Sequence, residues 1–116
     1  MKIVRVYAGE DGKSHLEIID QGEFDYVDRG GLRTAIETAT GTQFARRAEG
    51  EFTDFHNAPR RQYVLYLTAT AEIGIGDGTV QLMEPGDVLL AEDTTGQGHS
   101  SRVVKSGMSC TVRLEP

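Results

Sequence analysis

The stretch DGTVQLMEPGDVLLAEDTTGQGH, residues 77–99, decides the fold. Asp77-Gly78 is a dipeptide that takes the positive φ of a tight hairpin turn at little cost. TVQLM (79–83) alternates behind it and pairs back on what precedes. In EPGD (84–87), Pro85 presets φ and Gly86 suits a left-handed position, so the chain reverses again. VLLAED (88–93) is apolar enough to be a buried strand. It runs into the Gly-rich loop TTGQGH (94–99), which ends on His99. The pattern is a hairpin, a turn, a buried strand and a loop that delivers a histidine.

The same punctuation extends outward in both directions. RQYVLYLTATAEIGI (61–75) is the longest strand-rich run, broken by Gly76-Asp77-Gly78. KIVRVYA (2–8) and SHLEIID (14–20) alternate on either side of a turn at Asp11-Gly12. TQFARRAEGEFTDF (42–55) reads as a strand, a turn at Glu49-Gly50 and another strand, and SSRVVKSG and SCTVRLE close the chain. QGEFDYVDRGG (21–31) ends on paired glycines. GLRTAIETATG (31–41) reads as strand from its β-branched residues, although Ala35, Glu37 and Ala39 would permit a short helix. There is no long helical period, internal repeat, linker or low-complexity segment. Short strands at intervals of roughly 8–12 residues predict an all-β sandwich or barrel.

A chain of 116 residues predicts one domain over 1–116. That length buries a core without disulfide or metal staples. The net charge of −6 is spread along the chain, which argues against a nucleic-acid partner or an anionic membrane. Arg46, Arg47, Arg60 and Arg61 are a local basic exception that could meet an anionic ligand. Cys110 is the only cysteine, so no intrachain disulfide can form. It is expected as a small buried apolar residue of the last strand. A chain without disulfides fits a reducing compartment. The N-terminal MKIVRVYAGEDGKSH lacks the apolar stretch of a signal peptide, and no segment approaches the roughly 20 apolar residues of a membrane span. A cytoplasmic protein is expected.

Residues 56–99 resemble the cupin superfamily, small β-barrels of jelly-roll type (the double-stranded β-helix). The family's second motif is matched over about 78–99, with Pro85, Gly86 and Asp87 at its turn and His99 in the place of its metal-binding histidine. The first motif is matched over about 56–69 in spacing. His56 stands at its first histidine, Ala58 at its second, and Gln62 where its glutamate belongs. The wider chain also resembles a set of small bacterial cupins through DGKSH (11–15), APRRQ (58–62) and EDTTGQGH (92–99). The resemblance implies a homodimer. It also implies a small molecule held in the barrel, and activities as varied as isomerase, lyase and metal-dependent oxygenase, or sensing without catalysis.

Two chemistries stay open. In the first, His56, Gln62 and His99 hold a divalent Zn, Fe, Ni or Mn ion; imidazole suits these metals, and a neutral amide is a weak third ligand. Asp54, two residues before His56, would share its strand face and could add a carboxylate, and His15 or Glu17 could arrive from the N-terminal strand. In the second, no metal is needed. His56 and His99 act as general acid and base near neutral pH, Arg60 grips an anion as a third catalytic group, and Gln62, His15 and Tyr66 bind the ligand. Tyr63 and Tyr66 point to opposite faces, so at most one lines the cavity.

Each residue also has a plain structural role open to it. The two histidines could be satisfied core residues, His15 a strand residue, and Asp93-Thr94-Thr95 a loop turn that positions His99. Arg60 and Arg61 could pair with Asp93, Glu92 or Glu72, leaving one of the two in solvent. The function expected is a cupin that binds, and as an enzyme transforms, a small polar or anionic molecule. The alternative is a non-catalytic ligand-binding or sensing module.

Overall fold

The computed structural model describes residues 1–19 and 34–115. Alternating side chains and glycine turns give ten strands there and, among the described residues, no helix. They are β1 (Ile3–Ala8), β2 (Ser14–Ile19), β3 (Ala39–Arg47), β4 (Phe52–His56) and β5 (Gln62–Tyr66), then β6 (Thr70–Gly74), β7 (Val80–Met83), β8 (Val88–Glu92), β9 (His99–Lys105) and β10 (Gly107–Leu114). One sheet has six strands in the order β2-β1-β8-β5-β10-β3; the other has four, β4-β9-β6-β7. β1 and β8 run parallel, and the other described pairs are antiparallel.

Side-chain alternation sends one set of residues from each sheet into a shared core. Val4 and Val6 of β1, Leu89 and Ala91 of β8 and Val64 and Tyr66 of β5 meet Ala71 and Ile73 of β6, Ile75, and Met83 of β7. Cys110 is free and buried in β10, as its surroundings in sequence suggest.

The run at 61–75 is two strands, one in each sheet. β5 ends at Tyr66, and Leu67, Thr68 and Ala69 turn the chain across to β6. All three of their backbone N–H groups point at the Met108 carbonyl, at 3.1, 3.1 and 3.3 Å. A β-carbon on Gly107 would run into the Thr68–Ala69 backbone, so the crossing needs glycine there. The turns expected at Gly12, Gly50, Gly78 and Gly86 all carry positive φ, between 77° and 93°. Strand at 31–41 is met only from Ala39 onward, while Ala35–Thr38 lie outside any strand. The expectation for 21–31 falls outside the described residues.

Candidate functional site

β4 and β9 lie side by side at one edge of the four-stranded sheet, and their register sets His56 directly opposite His99. Between Thr53 and His56 the register shifts. Three steps on β4 answer two on β9, where Thr53 pairs Ser101, so the strand carries one extra residue. In a regular strand Thr53 and His56 would point to opposite faces. The bulge puts both on the face of Ser101 and His99, and all four side chains line one cavity between the sheets. The same bulge overturns the expectation for Asp54. Its carboxylate accepts the N–H of Phe55 at 2.8 Å, and it is not part of the cavity lining.

The two imidazole rings stand 4.6 Å apart between centroids, tilted by 55°. Each has its Nδ1 tied to an oxygen. His56 Nδ1 is 2.8 Å from the Asp54 carbonyl, and a carbonyl only accepts, so Nδ1 carries the hydrogen. His99 Nδ1 is 2.7 Å from Asp93 Oδ2. Asp93 is 0% exposed and His99 5%. Both rings are thereby set in the tautomer that leaves Nε2 with its lone pair.

Three separate runs of sequence converge to hold His99. From DGKSH, the Ser14 hydroxyl donates to Asp93 Oδ2 at 2.8 Å, and the Gly12 carbonyl accepts the Gln97 N–H at 2.8 Å. From APRRQ, the Ala58 N–H donates to the Asp93 carbonyl at 3.1 Å. The Asn57 amide donates to the Gly96 carbonyl at 2.9 Å. Gly98 lies against the backbone of His56 with φ 81°, where any β-carbon would strike the His56 carbonyl. Thus the loop 93–98 is clamped between the N-terminal hairpin and the approach to β5. Asp93 Oδ2 takes both side-chain donors, and Oδ1 is buried without a partner among the described residues.

The cavity holds about 100 Å³. Gln62 and Tyr66 line it from β5, Ala58 from the chain before it, and Arg47 from β3. Burial pushes the Tyr66 hydroxyl up to about 12, against the pull of the nearby Arg47 charge. Tyr63 faces the other way and donates to Glu37 at 2.8 Å.

Two candidates lie elsewhere. Arg60 precedes β5 in a bend, is exposed, and lines clefts outside the sheets, because strand alternation begins only at Gln62. His15 is on β2, where it meets Asp11 at 3.1 Å and stacks against Tyr7, and it is not part of the lining. Glu17 likewise pairs Arg5 at 3.1 Å. Arg61, not Arg60, meets Glu92, at 2.5 Å. Thr53, Ser101 and Ser14 are the site's additions, and of the four arginines singled out in the sequence Arg47 is the one in the lining. The bulge that turns Thr53 inward leaves no mark in the local sequence pattern.

Among the described residues, no group of three or more His, Cys, Asp or Glu comes together as a metal site. The cavity offers His56, His99 and Gln62, two imidazoles and an amide. A resident divalent ion is held by a third imidazole, a thiolate or a carboxylate, and this donor set does not fit one. The paired imidazoles need no such partner to move a proton. No helix among the described residues is long and apolar enough to cross a membrane. The chain matches no protein-family model and none of the curated proteins compared with it.

Proposed function

We propose that this chain is a cupin-type jelly roll whose inter-sheet cavity binds a small polar or anionic molecule, and that His56 and His99 move a proton on it. The observation that carries this is the facing pair of imidazoles, each anchored through Nδ1, with Nε2 left as the working nitrogen. An imidazole titrates near neutral pH and serves as base and then acid. His99 Nε2 takes a proton from the ligand. The imidazolium so formed is stabilised by Asp93, which already accepts from Nδ1. The His99 imidazolium then returns that proton at a second position of the ligand, and His56, in ring contact with it at 4.6 Å, offers a second Nε2 beside it as an alternative base. The Gln62 amide donates to a carbonyl oxygen of the ligand, and the apolar walls of Val64, Ile73 and Leu89 limit water. Such chemistry suits an isomerase or lyase. The cupin assignment draws on the two stacked sheets, the Pro85-Gly86-Asp87 turn and the convergence of all three resembling runs on one site.

A homodimer in the cytoplasm belongs to the same proposal. Phe44, 68% exposed on the edge strand β3, is apolar surface that a second copy would cover.

The test follows C–H exchange. The protein is incubated in D₂O with small 2-oxo and 2-hydroxy acids, and deuterium uptake is followed by proton NMR. Uptake that falls by about 100-fold or more in His99→Ala and in His56→Ala, with the fold intact, is the expected result. Saturable binding with no exchange on any ligand would assign the chain to sensing instead. Activity that appears only on adding Zn, Fe, Ni or Mn, and is lost with EDTA, would overturn the metal-free chemistry.

A further inference from the structure

We infer that the cavity is cut for a small monocarboxylate, with Arg47 as the group that receives its negative charge. This deepens the acid–base proposal above and depends on the same cavity. The protein has 18 Asp and Glu against 12 Lys and Arg, so a lining drawn at random would be acidic. The lining instead contains one cation, Arg47, and no carboxylate. Its other polar groups are hydroxyls and the Gln62 amide, able to donate to an acceptor, and the two imidazoles.

Arg47 has the freedom to take a ligand. Its Nε donates to the Ser109 hydroxyl at 3.1 Å, which fixes the plane of the guanidinium. No ion pair engages it among the described residues, in contrast to Arg5 and Arg61. The two terminal nitrogens remain, and a guanidinium presents such nitrogens to a carboxylate as a fork. Arg47 also borders a surface pocket with Arg46, Ala48 and Met108, so it stands between the cavity and solvent, at a place where an incoming anion meets it first.

Size narrows the class. Ordinary ligand pockets hold roughly 300–1,000 Å³. The 100 Å³ here lies well below that range. That admits a carboxylic acid of a few carbons and excludes nucleotides, sugars and long acyl chains.

Acetate and its neutral isostere acetamide are the probes. Each is titrated against the full chain while the ring C–H signals of His56 and His99 are followed by NMR. Acetate is expected to shift both signals saturably and acetamide to leave them in place. Arg47→Gln is expected to weaken acetate at least tenfold, and Arg47→Lys, which keeps the charge but not the fork, to weaken it less. Equal response to acetate and acetamide, or undiminished acetate binding in a folded Arg47→Gln, overturns the inference. Arg47→Lys decides the matter if the glutamine variant does not fold. His56→Ala separates this from the acid–base proposal: acetate binding that persists there while exchange chemistry is absent from the wild type sinks the chemistry and leaves the anion site standing.

Discussion

The two faces of the six-stranded sheet carry polar clusters of opposite design. On the outer face, a cleft of about 680 Å³ is lined by Arg5, Tyr7, Arg60, Arg61 and Glu92. Apart from Arg60, which is exposed and makes no ion pair among the described residues, its charges are spent on one another. Glu92 binds both Arg5 and Arg61, Arg61 reaches Glu37 at 2.8 Å, and Arg5 reaches Glu17 at 3.1 Å. On the inner face the cavity is much smaller, at about 100 Å³, and its polar groups are spent only in part. Each imidazole uses one nitrogen on the scaffold and keeps the other, and Arg47 uses Nε alone. Cleft volume and basic charge would select the outer face as the site. Unengaged hydrogen-bonding capacity on groups that the strands hold in place selects the inner one, since Arg60 is exposed and precedes its strand, and a group already paired must first lose its partner.

The sharpest way to break this contrast is to disturb the clamp under His99. Gly98→Ala places a β-carbon against the His56 carbonyl at a φ of 81°, so it forces both histidines apart. A loss of about 3 kcal/mol or more is expected in urea unfolding. A loss under about 0.5 kcal/mol would mean that the loop is not clamped as described. Asp93→Ala comes next. It strands the Ser14 hydroxyl and His99 Nδ1 in a buried place, at a cost of about 2–4 kcal/mol. Ser14→Ala removes one donor of the two and should cost about 1 kcal/mol, with His99 still oriented.

Acid should act on the outer face. Burial pushes Glu92 up, but hydrogen bonds from Arg61 and Arg5 together outweigh it and hold its carboxyl below the ordinary 4.5. The Arg61 guanidinium, with help from Tyr63, holds Glu37 below that value too. Carboxylates held low contribute stability above their ordinary range, and that stability is lost as pH falls through the lowered values. Chemical denaturation from pH 7 down to pH 3 should therefore show a decline that Arg61→Ala flattens. The network is partly exposed, so the share removed is on the order of 1 kcal/mol. Arg60→Ala should leave both stability and its pH profile within about 0.5 kcal/mol of wild type. If Arg60→Ala instead abolishes ligand binding, the outer cleft is the site and the contrast fails.

Much of this was legible in the sequence. Turn glycines and alternation placed nearly every described strand, because both signals are local. The meeting of His56 with His99 is what the cupin resemblance implies, alternation sets Tyr63 and Tyr66 on opposite faces, and one of the two arginines at 60–61 is expected in solvent. Other features were not. The run at 61–75 is uniformly strand-like, and its division between sheets depends on three N–H groups meeting the carbonyl of Met108, far along the chain. Asp54 was placed on the wrong face because period-two reasoning fails at a bulge. Arg60 was drawn inward by the same reasoning applied before the strand begins. Asp93 was visible only as a loop residue; its burial beneath Ser14 requires the N-terminal hairpin to fold over the loop.

The account stands on two imidazoles set in one tautomer with Nε2 free. Long-range nitrogen–proton NMR of the imidazole rings, on protein labelled with nitrogen-15 at pH 8, reads this directly. The prediction is a protonated Nδ1 and a bare Nε2 on both His56 and His99, with the His99 tautomer lost in Asp93→Asn. A protonated Nε2 on His99 in the wild type, or a ring exchanging freely between tautomers, would contradict it.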